Sequence, residues 1–145
     1  MDSNASPFWA FSLRVYGAEG VPEACLALQD GAGADVNVVL FLLWHAAEGR
    51  ALSAEDLARI EALAGPWRQE VVARLRAVRR ALKPREAEPG VSGLRALVKQ
   101  AELESERLQQ EMLFHHAAAL GEKAPPRAAA EASLRHYAAR LGADF

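Results

Sequence analysis

The stretch that decides the fold is VNVVLFLLW, from Val36 to Trp44, in which every residue except Asn37 is apolar. Such a run covers nearly the whole circumference of a helix, and helices that are apolar all round are buried. Asp35 precedes the run as the predicted N-cap, and Gly49 follows it as the predicted C-terminal glycine. We therefore predict a helix over residues 36–48 at the centre of the fold.

The composition of the whole chain predicts an all-α fold. Its 145 residues include 31 Ala but only 10 Val, 1 Ile and no Thr, so the residues that favour strands are scarce. The common residues, Ala, Leu, Arg and Glu, are strong helix formers. An all-β fold is therefore excluded, and we expect a single all-α domain of about seven helices over residues 1–145.

Glycine and proline residues divide the chain into its predicted helices. Gly65-Pro66 is predicted to end the fourth helix and to start a fifth, which runs from Trp67 to about Leu82. Residues 1–83 are then a five-helix core, residues 84–93 a loop, and residues 94–145 a long sixth helix followed by a C-terminal helix. The sixth helix is predicted from about Leu94 to Leu120.

Several features bear on the compartment. The single cysteine, Cys25, lies in an apolar helical pattern, which predicts a buried, reduced thiol. Residues 1–6 lack the pattern of a signal peptide. The apolar run from Val36 to Trp44 is far shorter than the roughly 20 residues that cross a bilayer. We expect a soluble cytoplasmic protein with no membrane span.

Four segments of the N-terminal half carry a family resemblance. They are FWAFSLRVY (residues 8–16), ACLALQD (24–30), GADVNVVL (33–40) and Trp44. This pattern resembles a family of short proteobacterial proteins that has a domain-of-unknown-function label, and the resemblance covers about residues 7–85. It implies an all-helical, soluble bacterial protein and implies no activity.

The same segments contain polar residues that core packing alone does not explain, and two interpretations stay open. In the first, the residues are architectural: Asp35 caps the central helix and Arg14 pairs with Asp30 or Asp35. In the second, aromatic rings and polar groups form a ligand pocket. The pocket candidates are Trp9, Ser12, Arg14, Tyr16, Gln29, Asp35, Asn37 and Trp44.

Metal binding and catalysis find little support in the sequence. His45 and Glu48 are spaced i, i+3, and Glu111 and His115 are spaced i, i+4, but neither spacing matches a metal-binding motif of helical bundles. Cys25 has no histidine close in sequence, and no nucleophile motif is present. We predict no metal, no cofactor and no catalytic residue, and the chain is more typical of a binding protein than of an enzyme.

The fifth helix carries a basic face opposite an apolar one. The basic residues are Arg68, Arg76, Arg79, Arg80 and Lys83. Such a face is typical of contact with an acidic protein, with nucleic acid or with an anionic lipid surface, or it is simply solvated and partly paired with the acidic N-terminal half. Nucleic acid is unlikely on this composition, since the sequence pI is about 6.1 and no DNA-binding motif is visible.

These features give two hypotheses for function. The leading one is a non-enzymatic interaction or regulatory module that contacts an acidic protein partner, or a second copy of itself, through the basic face and the loop of residues 84–93. The alternative is a small-molecule-binding protein with an aromatic-lined polar pocket near residues 9–16 and 35–44.

Overall fold

The computed structural model describes residues 6–145, and within them the chain forms seven α-helices. These are α1 (Pro7–Tyr16), α2 (Val21–Ala32), α3 (Val36–Ala47), α4 (Ala54–Trp67), α5 (Ala73–Leu82), α6 (Val91–Ala117) and α7 (Pro126–Leu141). Residues 1–5 lie outside the described residues. They belong to the predicted domain and make up most of the segment, residues 1–6, that is predicted to lack a signal peptide. The predicted all-α class is confirmed.

Helix α3 occupies the centre, as predicted. Val38, Phe41 and Leu42 are completely buried, and the helix packs against α1, α2, α4, α6 and α7. The core cluster that surrounds it joins Phe8 near the start of the chain to Tyr137 near its end. Because one core unites residues so far apart in sequence, the chain is a single domain.

The predicted break at Gly65-Pro66 is wrong, since the helix continues through it. Pro66 lies inside α4, and a π-helical segment, Arg68–Val72, joins α4 directly to α5. Proline lacks the N–H that a helix interior uses, and the π-helical turn follows it within the same continuous helix. The Trp67 indole fixes this segment against α6 by donating to the backbone oxygen of Ser105 at 2.8 Å.

Two short strands, which the sequence analysis did not predict, tie the loop after α3 to the loop after α6. Strands β1 (Arg50–Ala51) and β2 (Glu122–Lys123) pair antiparallel. Gly121, at φ +97°, passes so close that a Cβ there would lie 3.0 Å from the Ala51 carbonyl oxygen. Only glycine fits this position, because it combines a left-handed backbone with a close approach.

Helices α5 and α6 form an antiparallel hairpin. A 3₁₀ turn, Lys83–Arg85, follows α5, and α6 begins at Val91, earlier than the predicted Leu94, after Gly90 at φ +80°. No residue of α5 is buried. The second half of α6 packs on the core through Leu113 and Ala117. No helix in the described part of the chain has the length and apolar character to span a membrane.

Candidate functional site

An open cavity of about 490 Å³ lies where α1, α3 and α6 meet. Its volume is within the range of about 300–1,000 Å³ that is usual for small-molecule sites. Five of the predicted pocket residues line it: Trp9, Ser12, Tyr16, Gln29 and Asn37. The chain thus brings α1, the end of α2 and the start of α3 around one space.

The rest of the wall is apolar on one side and polar on the other. Leu13, Val36, Leu40 and Leu103 supply the apolar part. Leu13 is 58% exposed and Leu103 is 53% exposed, so both have apolar surface in water. The polar part comes mainly from α6 and is the part that the sequence analysis missed; it consists of Gln100, Glu104, Glu106, Arg107 and Gln110.

Two residues that line the cavity have a buried oxygen atom with no hydrogen-bond partner among residues 6–145. The atoms are Ser12 Oγ and Gln110 Oε1, in residues that are only 4% and 3% exposed. An unsatisfied buried polar group costs about 1–3 kcal/mol, and such groups in native proteins need an explanation. Neither atom has appreciable accessible surface, so both lie behind the surface of the cavity and do not face the space inside it.

The floor of the cavity is a network of side-chain amides. Asn37 Nδ2 donates to Gln109 Oε1 at 2.8 Å and to the Glu106 backbone oxygen at 3.0 Å. Asn37 Oδ1 accepts a hydrogen bond of 2.9 Å from Gln110 Nε2. Both amide hydrogens of Asn37 are therefore used within the protein, and the orientation of Gln110 is fixed from α3.

Asp35 lies behind this network and does not line the large cavity. Its carboxylate caps α3 by accepting from the Asn37 backbone N–H at 3.0 Å, and it also accepts from Gln109 Nε2 at 3.0 Å. Arg68 donates to Glu61 at 2.8 Å and to the Asp35 carboxylate at 2.7 Å, and these hydrogen bonds raise the pKa of Arg68. The capping prediction for Asp35 is confirmed.

Arg14 and Trp44 also lie away from the cavity lining. The Arg14 guanidinium sits 5.9 Å from the centre of the Phe11 ring. Asp35, one of its two predicted partners, pairs with Arg68 instead. Trp44 is buried in the aromatic core, stacked on Phe41 with 5.9 Å between ring centres. Arg14 and Trp44 were predicted to line the pocket because they are close in sequence to residues that do. Each of them lies on a face of its helix that points away from the cavity.

Glu106 lies on α6, between the cavity and the arginine side chains of α5. Burial raises the pKa of Glu106, and Arg76 opposes that shift. The distance from Arg76 Nη2 to Glu106 Oε2 is 3.9 Å, which is an ion pair without a hydrogen bond. The neighbouring acid Glu104 is paired differently, because Arg107 donates to both of its oxygens at 2.8 and 2.9 Å.

Most of the predicted basic face is paired inside the protein. Arg76 donates to Glu102 at 3.1 Å, and Arg79 forms a very short hydrogen bond to the same carboxylate. Burial raises the pKa of Glu102, but the hydrogen bonds from these two arginines outweigh it and hold the pKa below its ordinary value. Lys83 pairs with Glu86 at 3.1 Å, while Arg80 is exposed.

The buried histidine and cysteine are both in the core. His45 is completely buried, with Nδ1 2.9 Å from the Phe41 carbonyl oxygen and Nε2 3.1 Å from that of Ala117. Burial lowers its pKa. Cys25 is buried, as predicted, and burial raises its pKa. Among residues 6–145, no group of three or more histidine, cysteine, aspartate or glutamate side chains is positioned to hold a metal ion.

One sequence signal could have pointed to the missing α6 wall. Glu102, Ser105 and Gln109 are buried polar residues spaced three and four apart, in line with the buried Leu113. Polar residues on the buried stripe of a helix need internal partners. Here Glu102 accepts from Arg79, the Ser105 hydroxyl donates to the backbone oxygen of Glu102, and the Gln109 amide bonds to Asn37 and Asp35.

Comparison with known proteins identifies the family. Residues 7–113 match the family described as "Protein of unknown function (DUF2390)", and the chain belongs to it. The match includes α1 to α5 and most of α6, and therefore every element that contributes to the cavity. No curated protein and no solved structure matches the chain.

Proposed function

We propose that this protein binds a small, partly apolar organic molecule in the cavity between α1, α3 and α6. The observation that carries the proposal is the open cavity of about 490 Å³, in which the half-exposed Leu13 and Leu103 lie opposite fixed polar side chains. Apolar side chains on a concave wall stay in contact with water until another molecule covers them, and covering them is favourable.

The shape and chemistry of the wall also favour a ligand. Apolar side chains next to a few fixed polar groups are usual in small-molecule sites. Asn37 and Gln110 are held by the amide network, so their positions are set before a ligand arrives. Leu13 and Leu103 are half exposed on the lining, where an apolar ligand would cover them. Preorganised groups reduce the entropy that binding costs.

We expect octanol, a neutral amphipathic probe, to bind the wild-type protein with one-to-one stoichiometry in isothermal titration calorimetry. Leu103→Glu puts a charge on the half-exposed apolar wall of the cavity, and it should weaken octanol binding by about tenfold or more, equivalent to about 1.4 kcal/mol. The fold should persist, because Leu103 is 53% exposed.

The matched control is Leu26→Glu, the same exchange at a 51% exposed leucine of α2 that does not line the cavity. It should bind octanol as the wild type does. Circular dichroism checks that both variants keep their helices. Absence of octanol binding to the wild type, or equal binding by a folded Leu103→Glu protein, would contradict the proposal.

A second candidate function is contact with another copy of the chain through the α5–α6 hairpin. The observation in its favour is exposed apolar surface, since Val78, Leu94 and Leu97 are 46%, 49% and 69% exposed. The basic residues support it less, because Arg76 and Arg79 already pair with Glu102. Arg80 belongs to the predicted basic face and is exposed, and it forms no ion pair within residues 6–145.

Sedimentation velocity tests this second candidate. The wild-type protein should associate as its concentration rises, and Leu97→Glu should stay monomeric, because a buried charge at an apolar contact is strongly unfavourable. Lys99→Glu, on an exposed part of the same helix, is the control for the charge change. A wild-type protein that is monomeric at every concentration would rule out self-association through this face.

A further inference from the structure

We propose that the ligand of the α1–α3–α6 cavity is an uncharged carboxamide, whose amide group pairs with the side chain of Gln29 and whose hydrocarbon part lies against Leu13 and Leu103. This inference rests on the proposed function and adds the chemical class of the ligand. Three properties of the lining support it: its balanced charges, its free polar groups and the position of those groups.

The charged side chains of the lining are already balanced inside the protein. Arg107 donates to both oxygens of Glu104. Glu106 lies 3.9 Å from Arg76, in a cluster where two arginines face two acids. A charged head group would leave water without a free counter-ion to receive it, which costs free energy. The lining therefore favours an uncharged ligand.

Three half-buried side chains of the lining carry polar groups that have no hydrogen-bond partner within residues 6–145. They are Trp9, with an indole N–H, Tyr16, with a hydroxyl, and Gln29, with a carboxamide. Unlike Ser12 Oγ and Gln110 Oε1, these groups are accessible, so a molecule in the cavity can reach them. The indole only donates, whereas the hydroxyl and the amide both donate and accept. A matching ligand therefore offers both an acceptor and a donor.

Gln29 lies at the polar end of the cavity. A second, smaller cavity of about 40 Å³ shares four lining residues with the large one: Gln29, Val36, Asn37 and Glu106. The rest of its wall is mainly polar and includes Asp35, Arg68 and Gln109. Leu13 and Leu103 line only the large cavity. A ligand with one polar and one apolar end therefore has one favoured orientation, with its polar end at Gln29.

The backbone of Gln29 is fixed by the end of α2. Gly33, at φ +69°, closes the helix, and its N–H donates to the Gln29 carbonyl oxygen at 3.1 Å. A left-handed glycine at this position is the usual way for a helix to satisfy its last carbonyl groups. The Gln29 side chain therefore starts from an ordered position, which reduces the entropy that binding costs.

A carboxamide matches the Gln29 side chain group for group. It has a carbonyl acceptor beside an N–H donor in one plane, and so does Gln29, so the two amides can form a pair of parallel hydrogen bonds. An ester or a ketone has no donor for this pairing, and an alcohol has only one hydrogen to give. Among uncharged head groups, the carboxamide therefore fits best.

The matched ligands octanamide, octanol, octylamine and octanoate test the head group, because they share one chain length. We expect octanamide to bind the wild-type protein about tenfold tighter than octanol in isothermal titration calorimetry, and the two charged ligands to bind more weakly than octanol. A site that only covers hydrocarbon would favour octanol over octanamide, because a carboxamide loses more hydrogen bonds to water than a hydroxyl does.

Gln29→Met keeps the length of the side chain but removes both of its hydrogen-bonding groups. It should lower the ratio of octanamide affinity to octanol affinity by about tenfold. The control is Gln69→Met, the same exchange at an exposed glutamine that lines neither cavity, and it should keep the wild-type ratio. Circular dichroism checks that both variants are folded.

The outcomes separate the two proposals. Octanol binding as tightly as octanamide would overturn the carboxamide inference and leave the cavity as a binding site. A charged ligand that binds as tightly as octanamide, or an unchanged ratio in folded Gln29→Met, would overturn it too. Failure of all four compounds to bind would overturn both the inference and the proposed function. The series on the wild-type protein decides the class of ligand even if a variant does not fold.

Discussion

Phe41→Ala is expected to lower the free energy of unfolding by about 3–5 kcal/mol, the usual cost of removing a large buried ring. Phe41 is completely buried in α3 and lies 4.8 Å from the centre of the Phe8 ring and 4.5 Å from that of His45. Its removal leaves a cavity where α1 meets α3. Since small domains are stable by only about 5–15 kcal/mol, the loss is a large part of the total.

Urea unfolding followed by circular dichroism measures this change. Leu97→Ala is the control, because Leu97 is 69% exposed and its truncation should change stability by no more than about 0.5 kcal/mol. A loss below about 1 kcal/mol for Phe41→Ala would show that the surrounding helices close the gap, and that this aromatic cluster is not the centre of packing.

The success of the prediction for α3 and its failure at Gly65-Pro66 have different physical causes. The burial of α3 is encoded locally, because a helix that is apolar on all sides has no alternative to the core. At Pro66 the chain makes a contact that no local rule contains: the Trp67 indole donates to the backbone oxygen of Ser105, 38 positions away in sequence. Local rules place a helix break at a proline because they consider only the neighbouring residues.

The candidate cavity was predictable in part for the same reason. Trp9, Ser12, Tyr16 and Asn37 belong to helices that are close in sequence, and they do share one wall. The α6 wall, with Gln110 as its buried member, could not be assigned, since its rotation and its register against α1 are set by tertiary packing. Which residues of α6 lie opposite Trp9 and Tyr16 is known only once α1 and α6 are packed side by side.

The basic face shows what charge spacing leaves undetermined. Arg76 and Arg79 lie on one side of the helix, as their spacing predicts, but that side faces α6 and its buried Glu102, which is 7% exposed at the side chain. A stripe of arginines has the same pattern whether it meets water, a partner or another helix of the chain. Only the position of the compensating acid distinguishes these cases.

Asp35→Ala is expected to lower the free energy of unfolding by about 2–4 kcal/mol, through the lost helix cap and the broken partly buried ion pair. The Asp35 side chain is 9% exposed and accepts from the Asn37 backbone, Gln109 and Arg68. Arg68 keeps its bonds to Glu61, which limits the loss. Asp35→Asn should cost less, because its side-chain oxygen still caps α3.

A double-mutant cycle with Arg68→Ala separates the ion pair from the cap. If the pair contributes, the double variant should be more stable than the sum of the single losses predicts, by about 1–2 kcal/mol, because each single variant already loses the shared Asp35–Arg68 interaction, whereas the loss of the Arg68–Glu61 pair is common to the single and double Arg68 variants. Asp30→Ala, at an exposed aspartate of α2, is the control and should change stability by at most about 0.5 kcal/mol. Strict additivity in urea unfolding would mean that Asp35 acts through its cap and the amide network alone. The cavity floor would then depend on Asn37 and Gln109 rather than on Arg68.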